Sequence, residues 1–222
     1  MQLTNKENWI WLKMWKIESD IERMSDEYGL SNASGDIHKI VRRRLRREED
    51  LAVENIFSIL PFYVQDIIKR HLLLPKLKEV PTLRDMDQEV LDAILKDLEQ
   101  VMYDGGNYII REGEPLDMMI IISRGSVLTY NTTSTGHGGV GSGLSNTIGC
   151  LTGGDLYGQE LMSWAAKSTS FSDLPISNKT LKSHKKVEVF AIRASDLLLI
   201  VSEHKTETQR DTLIEINEHG NS

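Results

Sequence analysis

The stretch DGGNYIIREGEPLDMMIIISRGSVLTYNTT (residues 104–133) decides the fold class. Short apolar and β-branched runs alternate with Gly-Gly, Gly-Glu-Pro and Arg-Gly, which are turn-forming combinations, so the stretch predicts consecutive strands with tight turns. The glycine-rich residues 134–146 predict a loop between two strands, and VEVFAI at 187–192 predicts a further strand. We therefore expect an antiparallel β-roll over residues 104–192.

Upstream of this stretch, the apolar residues recur at helical intervals of three and four. One face of a first predicted helix carries Ile10, Met14, Ile17, Ile21 and Met24. Three tryptophans near its start suit either a membrane–water boundary or ordinary helix packing. A second helix, capped by Ser34 or Asp36, is predicted to run through the arginines. A third begins at Pro61 and is expected to end at Pro75 and Pro81. A fourth is predicted over residues 85–103, where one face carries Val90, Leu91, Ile94, Leu98 and Val101.

Composition excludes several classes of function. The 222 residues carry a net charge of -7, which argues against general nucleic-acid binding. The single cysteine, Cys150, excludes an intrachain disulfide. The longest apolar run, at 118–122, is too short to span a bilayer, so a soluble chain is predicted. No residues have metal-ligand spacing, and no nucleophile, base and orienting acid indicate an enzyme.

Positive charge is concentrated in KIVRRRLRR (residues 39–47), directly before the acidic residues 48–50. One interpretation is a contact with acidic lipid, calmodulin or an acidic partner helix. The other, which we prefer, is a solvated helix face paired with the acidic residues that follow it.

Residues 153–164, GGDLYGQELMSW, predict a turn that leads directly into a short helix. The unpaired N–H groups and positive dipole end of a helix N-terminus attract anions. Gly158 lets a ligand approach the backbone, while Gln159, Glu160 and Leu161 begin the helix. Lys179, about twenty residues later, is the cation that would complete a phosphate clamp. Taken alone, this pattern is also common in ordinary surface turns.

Five phrases in order resemble the cytosolic C-terminal region of plant cyclic nucleotide-gated ion channels. They are DIIKRHL (66–72), MDQEVLDAI (86–94), REGEPLDMM (111–119), GQELMSWA (158–165) and VEVFAIRASDL (187–197). The resemblance covers roughly residues 50–200. It implies an α+β fold, in which a helical linker precedes a jelly-roll-like antiparallel β-roll with flanking helices. We assign 1–80 to the linker, 81–203 to the cyclic nucleotide-binding-like domain and 204–222 to a polar tail.

The resemblance also implies a ligand site. The phosphate of cAMP or cGMP would lie on the backbone at Gly158, Gln159, Glu160 and Leu161, with side-chain contacts from Lys179 and Thr180. In this family the residue after the glycine is usually glutamate, here Gln159, and the phosphate-binding arginine is here Lys179. Glutamine loses a charge-assisted bond and lysine lacks the two-pronged donor set of arginine. We expect an affinity lower by on the order of 10–100-fold.

The function implied is regulatory rather than enzymatic. The chain would be the cytosolic part of a cation channel, at the cytoplasmic face of the membrane, coupling cAMP, cGMP or calmodulin to the gating of Ca²⁺ or K⁺ transport. It lacks a pore and would act with channel subunits or further copies of itself, without a cofactor or nucleic acid. The alternative is a degenerate interaction module that assembles with channel subunits and binds no nucleotide. A transcription factor on this fold would need a helix-turn-helix after the roll, and the last residues are too few and too polar for one.

Overall fold

The computed structural model describes residues 5–27, 29–48, 56–84, 86–131, 149–167 and 170–204. The chain divides into two compact units, Met1–Leu72 and Leu73–Ser222. This division lies within one helix, and the assignment of 1–80, 81–203 and 204–222 as linker, domain and tail remains a prediction. The predicted loop at 134–146 and residues 205–222 lie outside the described residues.

The first unit is helical. Its helices are α1 (Asn5–Glu27), α2 (Ser34–Arg47), α3 (Ile56–Ile59) and the first part of α4 (Phe62–Glu79). The predicted apolar stripe of α1 packs inward, because all its members except the half-buried Met14 are buried. From α2 the unit buries Ile37, Val41 and Leu45, again at intervals of four. The helical prediction for this region is confirmed.

Helix α4 continues through Pro75 to Glu79, so the expectation that Pro75 ends it is wrong. A proline inside a helix removes one backbone hydrogen bond. Leu73 and Leu77, on either side of the proline, are almost fully buried. Because the burial of these two leucines offsets the lost backbone hydrogen bond, the helix continues through Pro75. Pro81 then begins the short helix α5 (Pro81–Arg84).

The second unit is a β-roll with flanking helices, as predicted. Its two antiparallel four-stranded sheets have the orders β1-β8-β3-β6 and β2-β7-β4-β5. The strands are β1 (Glu99–Tyr103), β2 (Tyr108–Ile110), β3 (Met118–Arg124), β4 (Val127–Tyr130), β5 (Gly149–Leu151), β6 (Leu156–Tyr157), β7 (Thr180–Ser183) and β8 (Val187–Arg193). The flanking helices are α6 (Gln88–Asp97), α7 (Glu160–Lys167) and α8, which covers 194–204.

The prediction of one helix over residues 85–103 is wrong at its C-terminal end. Helix α6 ends at Asp97, and Leu98 has an extended conformation with φ -61° and ψ 122°. Residues from Glu99 onward form β1, which pairs along its whole length with β8. Leu98 and Val101 fit a helical stripe, but sheet pairing and burial decide the conformation here. The predicted β-roll therefore begins five residues earlier than expected.

The two longest strands form the centre of this unit. Both β3 and β8 are buried over most of their length, and they pair with each other between β1 and β6. This rigid centre positions the turn that follows β6. Within the described part of the chain, no helix combines the length and the apolar composition needed to cross a membrane.

Candidate functional site

A glycine with a left-handed backbone conformation joins β6 to α7. Gly158 has φ +87°. A Cβ at this position would lie 2.8 Å from the carbonyl oxygen of Met118 and 3.1 Å from the Cα of Met119, both in β3. Only glycine therefore fits without displacing the central strand. A helix begins directly after this turn, as the sequence predicts.

The first turn of α7 leaves two predicted site residues facing solvent. The first helical hydrogen bonds run from the N–H of Leu161 to the carbonyl of Gly158 and from the N–H of Met162 to the carbonyl of Gln159, both at 3.1 Å. The side chains of Gln159 and Glu160 are exposed, whereas Leu161 is fully buried. Leu161 thus anchors the helix, and Gln159 and Glu160 lie at its open N-terminus, where the dipole is positive.

The segment that carries Lys179 is held by one serine hydroxyl. Ser177 is 2% exposed, and its Oγ donates to the carbonyl of Lys179 at 2.7 Å and accepts from the N–H of Lys179 at 3.4 Å. Its backbone pairs with the turn at residues 112–114, through the Gly113 N–H and the Glu114 carbonyl, both at 2.9 Å. The Lys179 side chain is exposed. Among the described residues, none forms a hydrogen bond or ion pair with its ammonium group.

Thr180, the residue after Lys179, is held by a hydrogen bond to the 112–114 turn. It is the first residue of β7 and only 6% exposed. Its hydroxyl accepts a hydrogen bond from the backbone N–H of Glu112 at 3.1 Å. A threonine hydroxyl has one donor proton besides its acceptor lone pairs. Thr180 therefore stabilises the 112–114 turn while keeping the capacity to donate to a ligand.

The turn, the lysine segment and the 112–114 turn meet at Tyr157. Its hydroxyl lies 2.8 Å from Ser177 Oγ and 3.3 Å from Asn178 Oδ1. Burial raises the pKa of the Tyr157 phenol, and the negative charges of Glu160 and Glu112 act in the same direction. Hydrogen bonds from Ser177 and from the Lys179 backbone oppose this increase. The predicted site residues on both sides are thus brought into one neighbourhood.

Sequence reasoning missed Tyr157 and Ser177. Tyr157 directly precedes the turn glycine, and Ser177 lies two residues before Lys179. The signal available in the sequence was a hydroxyl-bearing residue one or two positions before each predicted phosphate contact. Trp164, by contrast, packs in the core. It is 6% exposed, its Nε1 donates to the carbonyl of Ser170 at 3.3 Å, and its ring lies 5.6 Å from that of Phe171.

The helical unit has a separate groove of about 380 Å³ between α1 and α2. It is lined by Trp11, Met14, Trp15, Glu18, His38, Lys39 and Arg42. Trp11 and Trp15 are 59% and 67% exposed, which is unusual for tryptophan. A second apolar surface lies at the start of α4, where Phe62, Tyr63 and Ile67 are all more than half exposed.

The basic run on α2 forms local pairs. Arg44 donates to the carbonyl of Ile59 at 2.8 Å and lies 3.4 Å from the Glu48 carboxylate. Lys39 pairs with Asp36 at 3.0 Å. The Arg44–Glu48 pair agrees with the preferred interpretation of a solvated face paired with the acidic residues that follow it, whereas Asp36 precedes the run. Such exposed pairs contribute little stability.

Two antiparallel sheets with a glycine turn opening a helix beside a lysine segment define the class of cyclic nucleotide-binding-type β-rolls. The homologues of this chain are plant cyclic nucleotide-gated ion channels. It is 35% identical over 173 residues to putative cyclic nucleotide-gated ion channel 13 of Arabidopsis thaliana and 38% identical over 173 residues to cyclic nucleotide-gated ion channel 1 of the same plant. Each match covers 74% of this chain.

The chain spans only about a quarter of the length of these curated relatives, 24% and 23% respectively. A third relative, putative cyclic nucleotide-gated ion channel 8 of Arabidopsis thaliana, is 34% identical over 85% of the chain. The solution structure of the cNMP-binding domain from an Arabidopsis thaliana cyclic nucleotide-regulated ion channel shares 34% identity, covering 58% of this chain and 89% of that one, with a TM-score of 0.49. No family model matches the chain.

Proposed function

We propose that this chain is a regulatory module that binds cAMP or cGMP and transmits the binding to a cation channel. Its relatives are named as cyclic nucleotide-gated ion channels, and this chain corresponds to part of their length. The observation that carries the proposal is the convergence at Tyr157 of the Gly158 turn and the Lys179 segment. The Gly158 turn offers helix N–H groups, and the Lys179 segment offers a cation.

In the proposed complex, the cyclic phosphate lies at the open N-terminus of α7. The N–H groups of Gln159 and Glu160 and the dipole of the helix favour its charge. The ammonium group of Lys179 supplies the counter-charge, and the Thr180 hydroxyl donates its free proton. Gln159, or Glu160 with its full charge, is the acceptor for the ribose hydroxyl.

Regulation follows from unequal binding to two states. A ligand shifts gating only to the extent that it binds the open and closed states with different affinity. We place the chain at the cytoplasmic face of a membrane, where nucleotide occupancy in the β-roll biases a pore that conducts Ca²⁺ or K⁺. The helical unit would transmit this bias.

Titration of the full chain with fluorescent cAMP and cGMP tests the proposal. We expect saturable binding, weakened about tenfold or more by Lys179→Ala because a charge-assisted contact is lost. Lys185→Ala is the matched control, since Lys185 is also exposed but lies in the turn between β7 and β8. Absence of binding at millimolar nucleotide, or equal effects of the two substitutions, contradicts a nucleotide site at Lys179.

The exposed aromatic surfaces of the helical unit favour a second function, assembly with channel subunits or with further copies of this chain. Trp11 and Trp15 line the α1–α2 groove, and Phe62 at the start of α4 is 84% exposed. A groove and a protruding apolar surface on one chain suit a head-to-tail contact, which closes into a ring when the rotation allows. This function is independent of nucleotide.

Light scattering on the full chain tests assembly. We expect concentration-dependent oligomers that Trp15→Ser disrupts, because the substitution removes apolar area from the contact. Leu199→Ser is the control, since Leu199 is 57% exposed on α8, in the other unit. A monomer at all concentrations, or the same loss with both substitutions, argues against subunit contacts through this groove.

Calmodulin is a further proposed partner, through the basic helix α2. Calmodulin recognises the apolar face of a basic amphipathic helix. In α2 that face consists of Ile37, Val41 and Leu45, all buried. Binding would therefore require release of α2, and we expect a peptide of residues 34–47 to bind Ca²⁺-loaded calmodulin more tightly than the full chain. Equal affinities, or no binding by the peptide, contradict this route.

A further inference from the structure

The backbone of Lys179 is tied by both of its polar groups to one buried hydroxyl. Ser177 Oγ donates to its carbonyl and accepts from its N–H. The Ser177 hydroxyl in turn lies 2.8 Å from the hydroxyl of Tyr157, the residue before the Gly158 turn. We call these two hydroxyls the Tyr157–Ser177 clasp. It connects the end of β6 to the segment before β7.

The surroundings hold the clasp itself in place. Ser177 is 2% exposed, and its backbone N–H and carbonyl both pair with the 112–114 turn. Tyr157 pairs through β6 with Ile120 of the buried strand β3. The Tyr157 hydroxyl also lies 3.3 Å from Oδ1 of Asn178, the residue directly before Lys179. The Tyr157 end of the clasp is thus anchored to the central strand β3 and the Ser177 end to the 112–114 turn, and the Lys179 backbone is bonded to the Ser177 hydroxyl.

We propose that Tyr157 and Ser177 are positioning residues for the anion site, and that they hold Lys179 at a fixed place relative to the N-terminus of α7. This inference rests on the proposed nucleotide function and adds to it the two residues that position the Lys179 ammonium group. Lysine has a long, flexible side chain that presents a point charge, so its contact with an anion depends on where its backbone is held. Arginine, with its planar fork, relies less on such support.

If the clasp positions Lys179, loss of a clasp hydroxyl should weaken cAMP binding only while Lys179 is present. Tyr157→Phe removes only the hydroxyl and leaves the ring, so Lys179 becomes less restrained while the fold is retained. We expect cAMP affinity to fall about threefold to tenfold, the value of one ordinary hydrogen bond. The loss should disappear in a Lys179→Ala background, because a residue that acts through Lys179 has no effect without it.

The experiment compares cAMP titrations of the full chain carrying Tyr157→Phe, Lys179→Ala and both substitutions. Tyr103→Phe is the matched control: burial also raises the pKa of Tyr103, but its hydroxyl faces Met118 Sδ at 3.9 Å. We expect no change in affinity for this control. A Tyr157→Phe loss that persists undiminished without Lys179 overturns the proposal, because the tyrosine would then act through the general structure.

A second measurement requires no ligand. In protein labelled with ¹⁵N-lysine, we expect Tyr157→Phe to shift the amide signal of Lys179 and speed its hydrogen exchange, with Lys185 unchanged. Unchanged Lys179 exchange and shift overturn the proposal. If the unsubstituted chain binds no cAMP but the Lys179 amide responds as expected, the nucleotide function fails while the clasp stands. Ser177→Ala should give the same response with a larger amplitude.

Discussion

The two sides of the candidate site are held by different kinds of force. On the α7 side, the backbone at Gly158 is fixed by steric exclusion, because β3 leaves no room for a Cβ. On the Lys179 side, position depends on the bond that the Ser177 hydroxyl donates to the Lys179 carbonyl and on the bond that the Thr180 hydroxyl accepts from the Glu112 N–H. Steric exclusion in a packed core is rigid, whereas a single hydrogen bond contributes only about 0.5–1.5 kcal/mol. The Gly158 turn is therefore the rigid side of the site. The Lys179 segment is the adjustable side, because its position depends on single hydrogen bonds.

The largest effect is expected on the rigid side. Gly158→Ala combines a left-handed conformation with a contact of 2.8 Å to the Met118 carbonyl, and should lower the free energy of unfolding by more than about 3 kcal/mol. Gly106→Ala is the matched control, since Gly106 has φ +84° and a methyl group there would meet no heavy atom within 4 Å. It should cost about 1–2 kcal/mol. Urea denaturation measures both, and equal losses would show that β3 does not confine Gly158.

An intermediate effect is expected at Thr180. Thr180→Val keeps the shape but removes the acceptor of the Glu112 N–H, which should cost about 1–3 kcal/mol of unfolding free energy. Thr180→Ser keeps the hydroxyl and should cost less. If urea denaturation finds the two variants equally stable, the Thr180–Glu112 bond does not hold this side, and the contrast between the two sides is weaker than we infer.

Lys179→Arg should change binding without changing stability. The side chain is exposed, so the free energy of unfolding should stay within about 0.5 kcal/mol of the original. A planar guanidinium contacts phosphate through two parallel bonds, and we expect cAMP to bind about threefold to tenfold more tightly. Unchanged or weaker binding in a nucleotide titration would argue against a phosphate at this position.

The smallest effect is a dependence on alkaline pH. Burial raises the pKa values of Tyr157 and Tyr103 in the folded chain. Their contribution to stability is therefore fully present below about pH 10, the unfolded value, and is lost as the pH rises through the higher folded values. Urea midpoints should fall above about pH 10, and Tyr157→Phe should make the fall shallower. A fall of unchanged steepness would place the responsible group outside the site.

The rigid side was also the more predictable one from sequence. The β-branched runs of β3 and β8 and the glycine before α7 are local signals, and each predicts its element directly. Strand β1 was missed because Leu98 and Val101 continue the helical stripe of α6. Pairing with β8, a contact across about ninety residues, overrides that local preference.

The adjustable side was only partly accessible to sequence reasoning. Lys179 is indicated by its place after the Gly158 turn and Thr180 by the resemblance to the channel family, and their role at the site stays a prediction. That the Thr180 hydroxyl accepts from Glu112, and that Ser177 and Tyr157 meet at 2.8 Å, depends on turns that approach only in the folded roll. No periodicity or spacing in the sequence encodes such a meeting, because it arises from tertiary structure alone.

The strand orders have a consequence for how the chain folds. In each sheet an interior position is occupied by a late strand: β8 lies between β1 and β3, and β7 lies between β2 and β4. Gln100 of β1 donates a side-chain hydrogen bond to Glu188 of β8, 88 positions away. Contacts of such long range must repay a large loop-closure entropy, so they make folding slow. During synthesis, β1 cannot complete its pairing with β8 until Ala191 has emerged. The strands that complete the two sheets, β7 and β8, emerge in close succession.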